Sequence, residues 1–593
     1  MRFPPRTHEA GPPGSDPAQS GHAERGVPTT SQAQEAEYQL WLVLLAIAAF
    51  FVALRSPIDH AGSDPKGTLL TAQAILSSGS ARLDEYATQD NSWVAPHQPG
   101  RFSYRHGHVY YRHPMTPVLL SAPFVWMANL QGMDLFKPTT DAAVQNVLSA
   151  LLVVSAVVLA FSLSGRFVQP GIALLLTTGF VFGGPLMSTA GTALWNSGIA
   201  AVLGLASIII LTDMGMGRKA SPTLLATLLV LCAFCRPTML VLAGLAAAYA
   251  CLVRRRVFPR FLGLLVGLAC LALLAHRHLY DGFVLDYYSS SRLARPWWFL
   301  LALGGMAAGA VALGTRLIKR RRVRGRARTP HPESPADPTS PANGLRPERS
   351  PRNASLVAYA LGLGVFACGV LFVPRLLNRS GVTHSSFLPN QREVIDTLRA
   401  VYGVLLSPSR GLLVYSPYLV LTVCGLVVTW QSVRRTSLFW LAATWLVLHT
   451  VIVARPLRWH GGHCFGSRMY LDAFPALMIL TLLVWNGVSC VGRRSRFARA
   501  LLAVTIAVSV FINVYQGMFN RWTVVWNREP DVDTHTEYLL NWRYPQFLAS
   551  PGQLEARMEE HDRRLTGRTG QMTTALPRGP RSAPCAAGDA LHR

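Results

Sequence analysis

Acidic residues are scarce in this 593-residue chain, which has 30 aspartates and glutamates against 56 lysines and arginines. Half of the residues are nevertheless apolar, and the formal net charge is +26. The basic residues occur in short runs between apolar stretches instead of lining one domain, which argues against a nucleic-acid partner. A composition of this kind is typical of membrane helices joined by basic loops.

The chain has nine cysteines, and few of them lie in polar surroundings, which excludes a disulfide framework. Only Cys464 and Cys585 lie in polar segments, and we predict no bridge between them. The CAFC spacing is interpreted as core packing because it lies inside an apolar run and not at a strand-to-helix turn. The remaining seven cysteines lie in or at the ends of apolar segments: Cys232, Cys235, Cys251, Cys270, Cys368, Cys424 and Cys490.

Residues 1–37 lack a short apolar core followed by a small-residue cleavage site, so they do not resemble a removable signal peptide. Their Pro, Gly, Ser, Gln and His content predicts a disordered cytoplasmic tail. Residues 319–353 form a basic, Pro-rich insertion that we expect on the cytoplasmic side, in contact with anionic lipid headgroups. Residues 551–593 are predicted to form a largely disordered periplasmic tail.

Residues 38–550 are predicted to form one all-α transmembrane domain of about thirteen helices. Basic clusters are separated by even numbers of spans, so all can be cytoplasmic together. This places the N-terminus inside, the C-terminus outside, and residues 55–141 in a first periplasmic loop. The predicted spans are Tyr38–Leu54, Val144–Leu163, Gly171–Thr189, Leu194–Leu211, Leu224–Cys235, Thr238–Val253, Phe261–Leu279, Trp297–Leu317, Leu356–Val373, Leu412–Trp430, Leu438–Ala454, Ala473–Val491 and Ala500–Gly517.

Three shorter features refine this topology. The apolar segment 113–130 contains three prolines and is predicted to be a helix on the outer surface. The segment Lys66–Ser78 has an amphipathic pattern and predicts a second surface helix. Arg236-Pro237 interrupts an apolar run too long for one span, which predicts a hairpin of two short helices with Arg236 at the outer face.

The outer loops collect the acids, aromatics, histidines and isolated arginines, so we expect chemistry on that side. The stretch RSPIDHAGSDPKG places Asp59 and Asp64 just after the first span. An aspartate before a proline is also a common helix N-cap, and that interpretation of Asp64 stays open. Arg410 and Arg468 precede apolar helices at the same outer rim.

The stretch WHGGHC suggests a metal site because His460 and His463 are three residues apart and Cys464 follows. A zinc site would need a fourth ligand at suitable spacing, and the two glycines favour a turn between spans. We therefore predict no metal and no cofactor, with a divalent cation as the alternative.

The order of these elements resembles the GT-C class of integral membrane glycosyltransferases. The segments that carry the likeness are SDPKGTLLTAQAILSSGSARLDEY, YYRHPMTPVLLSAP, SPSRGLLVYSP, GSRMYLDAFP and LLNWRYPQFL, within about residues 38–550. The chain resembles the bacterial membrane transferases that use polyprenyl-phosphate-linked sugars, including protein O-mannosyltransferases and lipid A aminoarabinose transferases. The resemblance implies a bacterial inner-membrane enzyme, with membrane lipids, a lipid-linked donor and a glycolipid, polysaccharide or protein acceptor as partners.

The resemblance also implies roles for individual residues. Asp64, in the place of the first-loop acid, would be the general base. The donor phosphate would be bound by Arg236, Arg410, Arg468, Lys66, Arg105 and Tyr111. Acceptor or secondary roles would fall to Asp84, Glu85, His113, His460 and His463.

Structural interpretations of the same residues stay open beside these roles. Arg236 can extend to the membrane interface, Arg410 and Arg468 can cap loops, and His113 can orient a turn. Asp84 and Glu85 can bind a metal, but the favoured interpretation is the solvated start of a loop. The chain departs from the family because the first loop of relatives often has two acids close together. Here Asp64 is followed by Pro65, and the nearest pair, Asp84 and Glu85, is twenty residues away.

Three other functions compete with this hypothesis. A transporter would show internal repeats and ionisable residues near the middle of its spans, whereas the charged residues here cluster at the outer mouths. A polymerase or ligase of lipid-linked polysaccharide would share the donor but not the first-loop acid. A scaffold would have no activity.

Overall fold

The computed structural model describes residues 30–89, 93–94, 101–282, 391–454, 459–489 and 494–569. Six helices in these ranges are long and apolar enough to cross a membrane, and six shorter apolar helices accompany them. The protein is thus mostly helical, as predicted, but the count of about thirteen spans is not confirmed. The predicted spans at Trp297–Leu317 and Leu356–Val373, and the insertion at 319–353, lie outside the described residues.

The first half of the described chain contains ten α-helices. They are α1 (Thr30–Leu54), α2 (Thr68–Ser78), α3 (Asp84–Ala87), α4 (Met115–Leu130), α5 (Pro138–Ser164), α6 (Pro170–Val181), α7 (Asn196–Gly215), α8 (Pro222–Cys235), α9 (Leu240–Val253) and α10 (Phe258–Tyr280). A short π-helical segment, Leu186–Ala190, lies between α6 and α7.

The second half contains eight more: α11 (Gln391–Leu406), α12 (Leu412–Tyr415), α13 (Tyr418–Val433), α14 (Ser437–Val453), α15 (Phe474–Ser489), α16 (Arg494–Val510), α17 (Trp522–Arg528) and α18 (Pro551–Thr569). A 3-10 helix, Arg468–Ala473, leads directly into α15. Helix α16 continues as a π-helix over Phe511–Phe519.

The helix packing follows the apolar faces of the segments. Helix α1 packs against α5, α5 against α6 and α7, and α7 against α8 and the 3-10 helix Arg468–Ala473. Helix α15 packs between α13 and α14. Most buried apolar side chains join one continuous cluster that runs through these helices.

The predicted break at Arg236-Pro237 is confirmed, because α8 ends at Cys235 and the backbone of Arg236 is extended. Both predicted surface segments are helical, as α2 and α4. Helix α2 packs on α4, which in turn contacts α8. These contacts place the first loop against the break between α8 and α9.

The expectation of a purely α structure is wrong in the first loop. Strands β1 (Phe102–Arg105) and β2 (His108–Tyr111) form an antiparallel hairpin with Phe102 opposite Tyr111. Its turn uses His106 and Gly107, both with positive φ. The physical reason is an alternating aromatic and polar pattern on either side of a His-Gly pair, which favours a hairpin.

Two predicted tails are corrected in part. Helix α1 begins at Thr30, inside the tail predicted for residues 1–37. Helix α18 occupies 551–569 of the predicted C-terminal tail, and it is anchored by the fully buried Arg557, whose guanidinium lies 4.0 Å from the Trp526 ring. This stacking supplies the apolar contact that a disordered segment would lack. Residues 1–29 and 570–593 lie outside the described residues.

Candidate functional site

The backbone of Asp64 is held in place by the hairpin. The Tyr111 hydroxyl donates to the carbonyl oxygen of Asp64 at 2.5 Å and lies 3.1 Å from Thr68 Oγ1. Gly67 has a φ of 112°, and a Cβ there would lie 2.8 Å from the Tyr111 ring. Only glycine allows both the backbone conformation and the close approach. Tyr111, predicted to bind phosphate, is thus a buried residue whose hydroxyl positions the Asp64 loop.

The N-cap interpretation of Asp64 is wrong. Helix α2 is preceded by Gly67 as its N-cap, and no side chain caps it. The Asp64 carboxylate instead accepts a hydrogen bond from Arg468 Nη2 at 2.8 Å. The side chain of Asp64 is 47% exposed while that of Arg468 is 14% exposed. The largely buried guanidinium of Arg468 therefore holds the carboxylate of Asp64 at a position that is accessible from outside the protein.

The protonation of Asp64 is set by two opposing effects. The surrounding protein removes part of the water around the carboxyl group, which favours the neutral acid. The charge and hydrogen bond of Arg468, with a smaller contribution from Arg236, outweigh this effect. The pKa of Asp64 is therefore held below its usual value. The carboxylate is ionised at neutral pH.

Arg468 is the first residue of the 3-10 helix that leads into α15. Its guanidinium carbon lies 3.7 Å from the centroid of the Trp195 ring, which fixes one of its faces. Within the described ranges, Asp64 is the hydrogen-bond acceptor of Arg468, and its buried Nε–H has no acceptor. Since a guanidinium has five N–H donors, Arg468 keeps donor capacity for an anion.

Asp472 connects Arg236 to the same 3-10 helix. The Asp472 carboxylate is almost fully buried and lies 3.0 Å from Arg236 Nε. Its Oδ2 also accepts a hydrogen bond from the Thr238 hydroxyl. Arg236 and Arg468 are thus both linked to residues 468–472, and charges of alternating sign run from Asp64 through Arg468 and Asp472 to Arg236.

Two histidines border this network, and both are neutral. Burial lowers the pKa of His113 to about 4, with Arg468 adding to the shift and Asp64 opposing it. Burial, Arg468 and Arg528 lower the pKa of His60 to about 4. The His113 ring lies 4.9 Å from that of Tyr111. His113 is therefore part of the packing around Asp64 and carries no charge at neutral pH.

Arg410 is not available to a phosphate, contrary to the prediction. It is 2% exposed. Its five hydrogen bonds run to the carbonyl oxygens of Ser409, His460 and Gly462 and to the side-chain oxygens of Gln546 and Asn527. These bonds use the full donor capacity of a guanidinium. Arg410 therefore cross-links its own loop to the segments that contain His460 and Gly462, Asn527, and Gln546, and it has a structural role.

The other predicted phosphate ligands lie around the first loop. The Lys66 ammonium is 4.4 Å from the Trp93 ring, and burial and Arg101 lower the pKa of Lys66. Arg105 ends strand β1, and burial together with Arg112 lowers the pKa of Arg105. Their proposed contact with the donor stays a prediction.

The predicted acceptor or secondary residues separate into three places. Asp84 binds His108 Nδ1 at 2.7 Å and the amide of Val109 at 2.8 Å, so it pins the hairpin, while Glu85 is exposed beside it. His460 is buried, and its carbonyl oxygen accepts a hydrogen bond from Arg410. His463 is exposed, and its Nε2 is hydrogen-bonded to Asp531 at 2.6 Å. Neither histidine belongs to the Asp64 network.

Sequence reasoning missed Trp195 and Asp472. Asp472 stands in the quoted motif GSRMYLDAFP, four residues after Arg468 and before an apolar run. A lone acid beside an apolar helix needs a partner, and this signal would have marked Asp472 as a paired residue, although it does not identify Arg236 as the partner. Trp195, in AGTALWNSG, had no comparable signal.

No protein-family model matches the chain, and no curated protein matches its sequence. Five chains among the solved structures match it. One is the Archaeoglobus fulgidus oligosaccharyltransferase in the apo form, at 15% identity and a TM-score of 0.47. The match covers 87% of this chain and 61% of that one, so the chain spans about three fifths of the length of that structure. A TM-score below 0.5 does not establish a common fold.

Proposed function

We propose that the chain is a GT-C-type glycosyltransferase that moves a sugar from a polyprenyl-phosphate donor to a hydroxyl acceptor. The reaction takes place at the periplasmic face of a bacterial inner membrane. The observation that carries the proposal is the accessible carboxylate of Asp64, bound by Arg468 and placed near Arg236 at the ends of apolar helices. The scissile bond of a lipid-linked sugar lies at the membrane surface, where the ends of membrane-spanning helices are expected.

The chemistry requires one base and one anion site. The acceptor oxygen attacks the anomeric carbon as Asp64 takes its proton, and the bond from that carbon to the phosphate oxygen breaks. Direct attack opposite the leaving group inverts the anomeric configuration. Arg468 and Arg236 stabilise the charge that develops on the departing polyprenyl phosphate. Lys66 and Arg105 complete the proposed donor site.

The low pKa of Asp64 makes it a weak base before the donor binds. A phosphate that pairs with Arg468 takes up the charge that now acidifies Asp64 and adds a negative charge beside it. Both effects raise the pKa of the carboxyl. Donor binding therefore strengthens the base at the moment when the acceptor hydroxyl must be deprotonated.

The test is reconstitution of the full chain in lipid nanodiscs with a panel of polyprenyl-phosphate sugars and acceptors. Release of polyprenyl phosphate is measured for the wild type and for Asp64→Asn, together with donor binding. We expect Asp64→Asn to lower turnover by about 10²–10⁴-fold while donor binding persists, because only the proton acceptor is lost.

Asp59→Asn is the matched control. Asp59 lies in the same loop, and its Oδ1 accepts the Ala61 amide at 2.6 Å, a bond that asparagine can also accept. Turnover should stay near the wild-type rate. Equal turnover in Asp64→Asn and the wild type would refute the role of Asp64. In a parallel reconstitution into liposomes, movement of the donor across the bilayer without release of polyprenyl phosphate would favour the transporter.

A further inference from the structure

A cluster of metal-ligating groups lies apart from the Asp64 network, where two outer segments meet. His463 comes from the turn before the Arg468 helix, and Asp531 and Asp533 follow α17. One ligand atom from each of the three residues lies within 4.8 Å of the other two. His463 Nε2 is 2.6 Å from Asp531 Oδ1. The ligands missing from the WHGGHC stretch are thus supplied by a segment 68 residues further along the chain.

A fourth side chain borders the cluster. His460 Nδ1 lies 3.6 Å from Asp533 Oδ1, and the His460 side chain is only 4% exposed. Its Nδ1 accepts the Gly462 amide, so it supports the site and leaves coordination to the other three. Cys464 takes no part, because its thiol points to the His460 carbonyl oxygen at 3.4 Å.

The turn that carries His463 is rigidly fixed. Gly461 and Gly462 have φ values of 73° and 72°, a conformation that other residues rarely adopt. Arg410 donates to the carbonyl oxygens of His460 and Gly462 on either side of this turn. The buried Asn527 binds both Arg410 and the Cys464 carbonyl oxygen, which fixes the start of the segment that bears the aspartates. Both halves of the cluster are therefore held by one framework.

The charges of the cluster favour a cation. Two carboxylates within this distance repel each other. The hydrogen bonds from His463 Nε2 and from the Asp533 amide both go to Asp531 Oδ1, so the other carboxylate oxygens of the pair keep lone pairs for a cation. An imidazole nitrogen with two carboxylate oxygens is a donor set suited to Mn²⁺ or Zn²⁺. Ligand atoms on one such ion lie about 3–4 Å apart, since each bond is about 2.1 Å long, so binding would draw the cluster slightly together.

We propose that His463, Asp531 and Asp533 bind one divalent cation of the Mn²⁺ and Zn²⁺ class. Water completes its coordination, since His463 and Asp533 are exposed. The ion ties the segment that ends in Arg468 to the segment after α17. The proposal does not depend on the glycosyltransferase hypothesis, because it rests on ligand geometry alone.

The test uses the full chain in detergent, without a histidine tag and after treatment with a chelator. Mn²⁺ binding is measured by electron paramagnetic resonance and Zn²⁺ binding by calorimetry. We expect one saturable site per chain, nitrogen coupling to bound Mn²⁺, and a rise in melting temperature with metal. Asp531→Asn and Asp533→Asn should each weaken binding at least tenfold, and His463→Gln should abolish the nitrogen coupling.

Glu555→Gln, which alters an exposed acid on α18, is the control and should bind metal as the wild type does. The melting temperatures of the metal-free variants separate a lost ligand from a lost fold. Absence of saturable binding in the wild type, or equal affinity in a correctly folded Asp533→Asn variant, would overturn the proposal.

Discussion

Arg468 and Arg410 both stand at the start of an apolar segment on the side where the acids and aromatics gather, yet they occupy opposite kinds of environment. Arg410 donates five hydrogen bonds to neutral oxygen atoms of its own chain. Arg468 donates one to Asp64 and stacks on Trp195, and its buried Nε–H has no acceptor among the described residues.

The difference teaches that donor count separates a structural arginine from a ligand-binding one. A guanidinium whose N–H groups are all satisfied inside the protein gains nothing from a phosphate and would have to break buried bonds to reach it. One that is pre-oriented by an aromatic ring and a single carboxylate can exchange that carboxylate for an anion.

The largest effect on stability is expected for Arg410→Ala. The change leaves Gln546, Asn527 and three carbonyl oxygens without their donor inside the protein, at a cost of about 3–5 kcal/mol. Thermal unfolding of the purified protein in nanodiscs measures it. The melting temperature of Arg410→Lys, whose ammonium has three donors, should fall between those of the wild type and Arg410→Ala. A melting temperature equal to that of the wild type would show that this cross-link is dispensable.

Arg468→Ala should have the opposite profile. We expect sugar transfer to fall about 10²–10³-fold, because the phosphate loses a pre-organised donor, with a loss of stability of only about 1 kcal/mol. Turnover and melting temperature are measured on the same samples. A variant that unfolds as readily as Arg410→Ala would remove the distinction between the two arginines.

Asp472→Asn should act through Arg236. The amide cannot balance the guanidinium charge, so we expect an about tenfold rise in KM for the donor lipid with a smaller change in kcat. In an Arg236→Ala background the same substitution should have little further effect, which a double-mutant cycle measures. Additive losses would assign Asp472 to general stability.

The protonation of His113 makes the stability of the protein depend on pH. Its folded-state pKa of about 4 lies below the ordinary value of about 6.5. The unfolded chain therefore binds the proton first, and stability present above about pH 6.5 is lost as the pH falls toward 4, by on the order of 3 kcal/mol. His113→Gln should flatten the decline of melting temperature over this range. His278→Gln, an exposed histidine, should not; an identical decline in both would contradict the shift.

Local signals predicted much of the fold. The Arg236-Pro237 break and the helices α2 and α4 follow from proline placement and apolar periodicity, which act over a few residues. The hairpin at 102–111 was missed although its His-Gly turn is equally local, because its strands are only four residues long and lie in a chain otherwise dominated by apolar runs.

The candidate site was predictable only in part. The sequence singles out Asp64 and Arg468, but nothing local distinguishes Arg468 from Arg410. Two of the groups that accept hydrogen bonds from Arg410 are the side chains of Gln546 and Asn527. Both lie more than one hundred residues away in the chain. Likewise, only tertiary packing brings Asp531 close to His463, with which it forms the proposed metal site. Residue type indicates what a side chain can bind, and long-range contacts decide whether it is free to do so.

The four-residue spacing of Arg468 and Asp472 on one short helix has a consequence for inhibition. Because both residues lie on this helix, we expect a compound that draws Arg468 away from Asp64 to shift Asp472 as well, and with it the ion pair to Arg236. A single phosphonate that spans both guanidinium groups would immobilise the first loop, the α8–α9 junction and the base of α15 together. Such a molecule should reveal itself by protecting these three distant peptides at once from hydrogen–deuterium exchange.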